Sequence, residues 1–135
     1  MNISDEDLRQ KLSKEQYGYL REGKTEPPFS GKFLNHNQAG TYVCMVCGNE
    51  LFSSKSKHDT QTPGLTGWPS FADVLGSGSI KLVDDNSLGM HRIEVRCAKC
   101  GSHLGHLFDD SSMPGGKHYC INSECLDFKS KTKPN

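Results

Sequence analysis

The chain has 135 residues, 16 basic and 16 acidic side chains, and 33 % hydrophobic residues. That length suits one domain, here taken as 1–135, with a modest core. The balanced charge argues against a nucleic-acid surface, which carries a basic excess, and no apolar run approaches the ~18 residues of a membrane span. The polar, acidic start Met1-Asn-Ile-Ser-Asp-Glu-Asp lacks the regions of a secretion signal, so a cytoplasmic, reducing compartment is expected.

Residues 1–24 read as a helical segment. Ser4 is a candidate N-cap for a short helix through about Lys11. Ser13-Lys-Glu-Gln16 has the form of a capping box, opening a second helix that stops near Gly23. Residues 25–40 hold Pro27, Pro28 and several turn formers, and read as an ordered loop.

From Thr41 the texture changes to strand. Thr41–Cys44 and Glu50–Ser53 flank Cys44-Met-Val-Cys47-Gly48, and 54–67 read as loop. Ser79–Val83 and Met90–Arg96 alternate as strands do, with 84–89 as the turn between them. Cys97-Ala-Lys-Cys100-Gly101 repeats the first cysteine unit. Ser102–Phe108 is a further strand, 109–116 a turn, His118–Phe128 the last strand, and 129–135 a flexible tail. Such short connections favour antiparallel pairing, so the expected fold is mainly β with helices packed at the N-terminal end.

A Cys-x-x-Cys turn brings two sulfurs close enough to share an ion, and the following glycine lets the backbone fold back. Cys44, Cys47, Cys97 and Cys100 together supply the four thiolates of a structural zinc site. Two disulfides or a redox dithiol are the alternatives, disfavoured in a chain without secretory marks. Cys120 and Cys125 remain outside that set. In an extended strand His118, Cys120 and Asn122 share one face. A thiol between an imidazole and an amide is chemically useful, and a buried cysteine acting as a small hydrophobe is the alternative. His103 and His106 would face opposite sides of a regular strand unless Gly105 admits a bulge. Gly67-Trp-Pro-Ser-Phe71 offers Trp68 and Phe71 either as core anchors or as an aromatic wall for a methyl on sulfur.

These pieces resemble the methionine sulfoxide reductase B family. The likeness runs from about Leu12 to Phe128. It rests on Glu26-Pro-Pro-Phe-Ser-Gly31, Tyr42–Phe52, Gly67–Phe71, Val95–Gly101, His103-Leu-Gly-His106-Leu-Phe-Asp-Asp110 and Tyr119-Cys-Ile-Asn-Ser123. The resemblance implies two antiparallel sheets and a structural zinc on Cys44, Cys47, Cys97 and Cys100. It implies a peptide-methionine (R)-S-oxide reductase that repairs oxidised proteins under oxidative stress. Cys120 matches the nucleophile, which becomes a sulfenic acid. His103, His106 and Asn122 match the polar side of the site, Trp68 the wall around the substrate methyl, with Phe71 and His118 beside it. Thioredoxin or another thiol would supply electrons, and no nucleic-acid or membrane partner is implied. Two positions depart from the family pattern: Thr66 stands where many relatives carry a recycling cysteine, and His118 where many carry arginine. A non-enzymatic zinc module is the rival reading; it explains the cysteine pairs but not Cys120, the histidine pair or Trp68.

Overall fold

The computed structural model describes residues 5–60, 62, 65–76, 78–86, 89 and 91–130. Two short helices come first, α1 (Asp5–Lys11) and α2 (Lys14–Arg21). The capping box opens α2 as expected. Ser13 Oγ accepts from the Gln16 N–H, and Gln16 Oε1 accepts from the Ser13 N–H, both at 3.1 Å. The candidate cap Ser4 lies outside the described residues, as do Met90 and residues 131–135.

Among the described residues eight strands follow: β1 (Gly40–Cys44), β2 (Glu50–Ser53), β3 (Ser70–Phe71), β4 (Ile80–Asp85), β5 (Arg92–Cys97), β6 (His103–Asp109), β7 (Lys117–Ile121) and β8 (Leu126–Ser130). They form two antiparallel sheets, ordered β2-β1-β8 and β3-β7-β6-β5-β4. The fold is therefore mainly β, with two sheets and short helices before them. Lys129 and Ser130, expected in a tail, instead close β8 against Thr41 and Gly40.

The expected strand 118–128 is two strands in two sheets. It breaks at Asn122, which leads into a 3₁₀ turn over Ser123–Cys125. Asn122 keeps its backbone bond to Leu104 O, and from Ser123 onward side chains supply partners outside the ladder. Asn122 Oδ1 accepts from the Glu26 N–H at 3.0 Å, and Asn122 Nδ2 donates to Leu104 O at 3.3 Å. Ser123 Oγ accepts from the Phe33 N–H at 3.2 Å, and the Ser123 N–H donates to the Glu26 carboxylate. The 25–34 loop is thereby fastened to the end of β7.

The core lies between the sheets, built on Tyr42, Leu51, Phe52, Phe71, Val95, Leu104, Ile121 and Leu126, all fully buried. Phe71 stacks on Phe52 with ring centroids 4.4 Å apart, which makes it a core residue and not part of a wall facing substrate. Hydrophobic burial here contributes on the order of 1.5–3 kcal/mol per large side chain.

Candidate functional site

The cysteine cluster forms at the strand ends. One pair sits in the turn from β1 to β2, the other in the turn from β5 to β6, so the cluster links the two sheets. Gly48 and Gly101 take positive φ, 76° and 77°. Each donates its N–H to the first cysteine of its unit, at 2.9 Å to Cys44 O and 2.8 Å to Cys97 O. The four sulfurs lie within 4.8 Å of one another. Cys44 Sγ is 3.6 Å from Cys100 Sγ, and Cys47 Sγ is 3.6 Å from Cys97 Sγ. A tetrahedral site with zinc–sulfur bonds of about 2.3 Å asks for sulfurs about 3.8 Å apart, so four thiolates placed this way fit that ion.

The second centre is a cleft of about 160 Å³ on the five-stranded sheet, lined by Cys120, His106, Asn122, Trp68, Gly105, Phe108, Arg92, Thr25 and Leu65. Cys120 lies directly opposite His106 on β6 and opposite Ser70 on β3. Cross-strand partners share a sheet face, so the thiol and the imidazole project together. Burial pushes the Cys120 thiol up to about 12, helped by the negative charge of Glu26. At neutral pH this side chain rests as a thiol. Trp68 stands across the cleft, its indole Nε1–H donating to Glu26 O at 2.8 Å. One loop residue, Glu26, thus holds both Trp68 and Asn122 through its backbone.

The bulge exists. Val95 pairs with Gly105 and the adjacent Arg96 pairs with His103, so β6 carries an extra residue there. His103 and His106 consequently come to lie together, ring centroids 5.4 Å apart. Gly105 is required for a further reason: a Cβ on it would sit 2.0 Å from Cys120 O.

Each histidine meets a carboxylate. His103 Nδ1 lies 2.7 Å from Glu94 Oε2, and Glu94 Oε1 pairs with Arg96 at 2.9 Å. His106 Nε2 lies 2.7 Å from Asp85 Oδ2, which Arg92 also reaches at 3.2 Å. Burial pushes the His103 imidazole down, against the raising pull of Glu94. Burial also pushes the Glu94 carboxyl up, but hydrogen bonds from Arg96 and His103 outweigh it and leave Glu94 below its ordinary range.

His118 does not line the cleft. It is fully buried, Nδ1 3.0 Å from Asp110 Oδ2 and Nε2 2.8 Å from Ser70 Oγ. Burial lowers its pKa against the pull of Asp110. Asp110 is held well below the usual carboxylate range by the hydroxyls of Thr60, Thr62 and Ser112. Cys125 is also fully buried, inside the 3₁₀ turn, with its thiol pushed up by burial.

Of the residues singled out from sequence, Cys120, His106, Asn122 and Trp68 line one cleft, whereas His103 lines the neighbouring polar cavity with Glu94 and Arg96; the contacts of Glu26, Asp85, Arg92, Glu94 and Asp110 were not foreseen. The signal for part of this was present: Arg92, Glu94 and Arg96 recur every second residue of a strand, which puts three charges on one face.

A profile of the SelR domain family matches residues 12–130. A protein of Methanosarcina barkeri named peptide methionine sulfoxide reductase MsrB is 50 % identical over 128 residues, spanning 95 % of this chain and 87 % of that one. One of the same name from Synechococcus sp. is 50 % identical over 132 residues, spanning 98 % and 94 %. Among solved structures, the crystal structure of the Mis18 'Yippee-like' domain superposes with a TM-score of 0.53 at 15 % identity. It spans 71 % of this chain and 100 % of that one, a likeness of fold alone.

Proposed function

The chain belongs to the SelR domain family, and we propose that it is a methionine sulfoxide reductase, acting on the R epimer in oxidised proteins or peptides. The observation that carries this reading is the pairing of Cys120 with His106 across β6 and β7, in a cleft walled by Trp68, within the stretch that matches the family.

Trp68 receives the methyl on the substrate sulfur, and Asn122 holds the polar end of the cleft. One proton moved from the Cys120 thiol to an imidazole gives thiolate and imidazolium. The thiolate attacks the sulfoxide sulfur and the oxygen takes up a proton from His106 or His103. The hydroxyl then passes to the cysteine sulfur as the sulfur–sulfur bond breaks. Methionine leaves reduced by two electrons, and Cys120 is oxidised by two, to a sulfenic acid.

Recycling falls to an external thiol. Thr66 cannot form a disulfide, four cysteines belong to the metal cluster, and Cys125 is enclosed in the core. A first thiol condenses with the sulfenic acid, releasing water. A second exchanges with the mixed disulfide and restores Cys120. Thioredoxin or another dithiol supplies both equivalents. Cys44, Cys47, Cys97 and Cys100 would hold one zinc in a structural role, which supplies folding energy and no chemistry to the cleft. Six free thiols suit a reducing compartment such as the cytoplasm; no helix of the described residues is long and apolar enough to cross a membrane.

The test is incubation with each epimer of a methionine sulfoxide peptide and dithiothreitol, for the native protein and Cys120→Ser. Turnover of the R epimer alone, lost in Cys120→Ser with metal and fold intact, is expected. Turnover of neither epimer would favour the non-enzymatic zinc module.

A further inference from the structure

Two lines of charge on β4, β5 and β6 end on the two histidines of β6, one beside the cleft and one in the neighbouring polar cavity. Arg96–Glu94–His103 is one and Arg92–Asp85–His106 is the other. In both, a histidine that is at least nine-tenths buried meets a carboxylate at 2.7 Å and an arginine pairs with the same carboxylate, through the other oxygen of Glu94 and through the shared Oδ2 of Asp85. Mutual satisfaction of buried polar groups would account for such pairs, but two details go beyond it.

First, the two rings are held by different nitrogens. His103 is engaged through Nδ1 and His106 through Nε2. The nitrogens left over are His103 Nε2 and His106 Nδ1. His103 Nε2 is buried and has no hydrogen-bond partner among the described residues. A buried ring nitrogen left unpaired is costly and asks for a reason. Second, each carboxylate is paired with an arginine, and the hydrogen bonds from Arg96 and His103 hold the Glu94 carboxyl below its ordinary range. A carboxylate that stays ionised accepts an N–H without taking the proton, so it fixes the tautomer of the ring and steadies the imidazolium.

We propose that Glu94 and Asp85 are positioning residues of the sulfoxide reduction. Each holds one N–H of its histidine and leaves His103 Nε2 and His106 Nδ1 to exchange protons with the sulfoxide oxygen. The inference rests on the reading of Cys120 as nucleophile and of the two histidines as acids. When an imidazolium gives up its proton at the free nitrogen, the neutral ring keeps the proton facing the carboxylate. The next proton must therefore return to the same free atom. Without the carboxylate, either neutral tautomer is open and half of the productive arrangement is lost.

The groups that face His103 are Glu94 and Arg96 of β5 and His106 of β6. Arg21 of α2, Glu22 beyond it and Asp85 of β4 line the same polar cavity of about 390 Å³. Facing His106 are Asp85 of β4, Arg92 of β5, His103 of its own strand and Cys120 of β7. Glu94 is the carboxylate hydrogen-bonded to His103, so its charge is the one whose removal should move that ring's titration.

The experiment compares pH–rate profiles of native protein, Glu94→Gln and Glu94→Asp with an R-sulfoxide peptide and dithiothreitol, with zinc content and melting temperature recorded. Glu94→Gln should lower kcat about 10-fold to 100-fold with KM little changed, a share of the ~10²–10⁴ that general acid catalysis supplies. Its alkaline limb should move down by about one pH unit or more, because an adjacent opposite charge shifts a pKa by roughly 1–3 units. Glu94→Asp should restore the native limb in part. Nitrogen-15 spectra of the native protein should show neutral His103 as the Nδ1–H form, a readout that stands even where Glu94→Gln fails to fold. A native rate and profile in Glu94→Gln, or an Nε2–H tautomer at His103, would overturn the proposal. Residual turnover in Cys120→Ser would instead remove the reading beneath it.

Discussion

Placing a methyl on Gly105 tests how closely the reaction depends on the spacing of β6 and β7. A Cβ there would lie 2.0 Å from Cys120 O and 2.9 Å from Ile121 Cα. Carbon–oxygen contacts rarely close below about 3.3 Å, so the strands must separate by more than about 1 Å beside the thiol. Neither strand can yield freely, because β6 and β7 pair over five residues and β6 is also paired with β5. Overpacking of this kind costs about 1–3 kcal/mol. For a domain of this size each kcal/mol lowers Tm by roughly 4 °C, so Gly105→Ala should melt about 4–12 °C early. Displacing a reacting group by about 1 Å can cost on the order of 10² in rate. We expect kcat/KM for the R-sulfoxide peptide to fall by that order well below the new Tm, with zinc retained. Native kcat/KM would refute the argument that this strand spacing sets the position of Cys120, whatever happens to Tm.

Four further outcomes are expected. Cys44→Ser should lose its bound zinc and melt well below the native protein, since the cluster joins the two sheets and its binding energy is partly folding energy; metal analysis with a melting curve decides it. His118→Arg puts a fixed charge where burial lowers the pKa of an imidazole, two residues along the strand from Cys120. The apparent pKa for iodoacetamide alkylation of Cys120 should then fall, and superimposable alkylation curves would count against any influence of position 118 on the thiol. Burial raises the Glu26 carboxyl from 4.5 to about 7, so the folded state binds a proton that the unfolded chain releases. Stability should decline as pH rises from about 4.5 to about 7, and Glu26→Gln should flatten that decline in Tm measured against pH. After one oxidative turnover without reductant, a thiol count should show no Cys120–Cys125 disulfide, and Cys125→Ser should retain thioredoxin-driven turnover; loss of that turnover would make Cys125 the resolving thiol.

The legible parts of this protein are those encoded by local pattern. The capping box at Ser13 and the two Cys-x-x-Cys turns each follow from a few neighbouring residues and appear as read; β4 and β5 form where strands were expected, but β4 runs on through Asp84 and Asp85, expected in the turn, and Leu82 is exposed. The bulge beside Gly105 was readable as an option, because a glycine between two histidines permits it. Strand parity also put Cys120 and Asn122 on one side, although the strand ends between them.

Elsewhere the decision belongs to distant contacts. Residues 118–128 look like one strand because their side chains alternate; they become two because Glu26 and Phe33, nearly a hundred positions earlier, bond to Asn122 and Ser123. Phe71 looks like a candidate wall beside Trp68, yet the packing of Phe52 against it makes it core. His118 looks like a neighbour of the thiol, and Asp110 and Ser70 draw both of its nitrogens away. The chemical inventory of the protein, its thiols, imidazoles and lone tryptophan, is therefore determined by sequence alone, since side-chain chemistry is local. Which nitrogen faces a carboxylate, and which aromatic faces the cleft, is decided by tertiary structure, since those depend on partners that only the folded chain brings within hydrogen-bond reach.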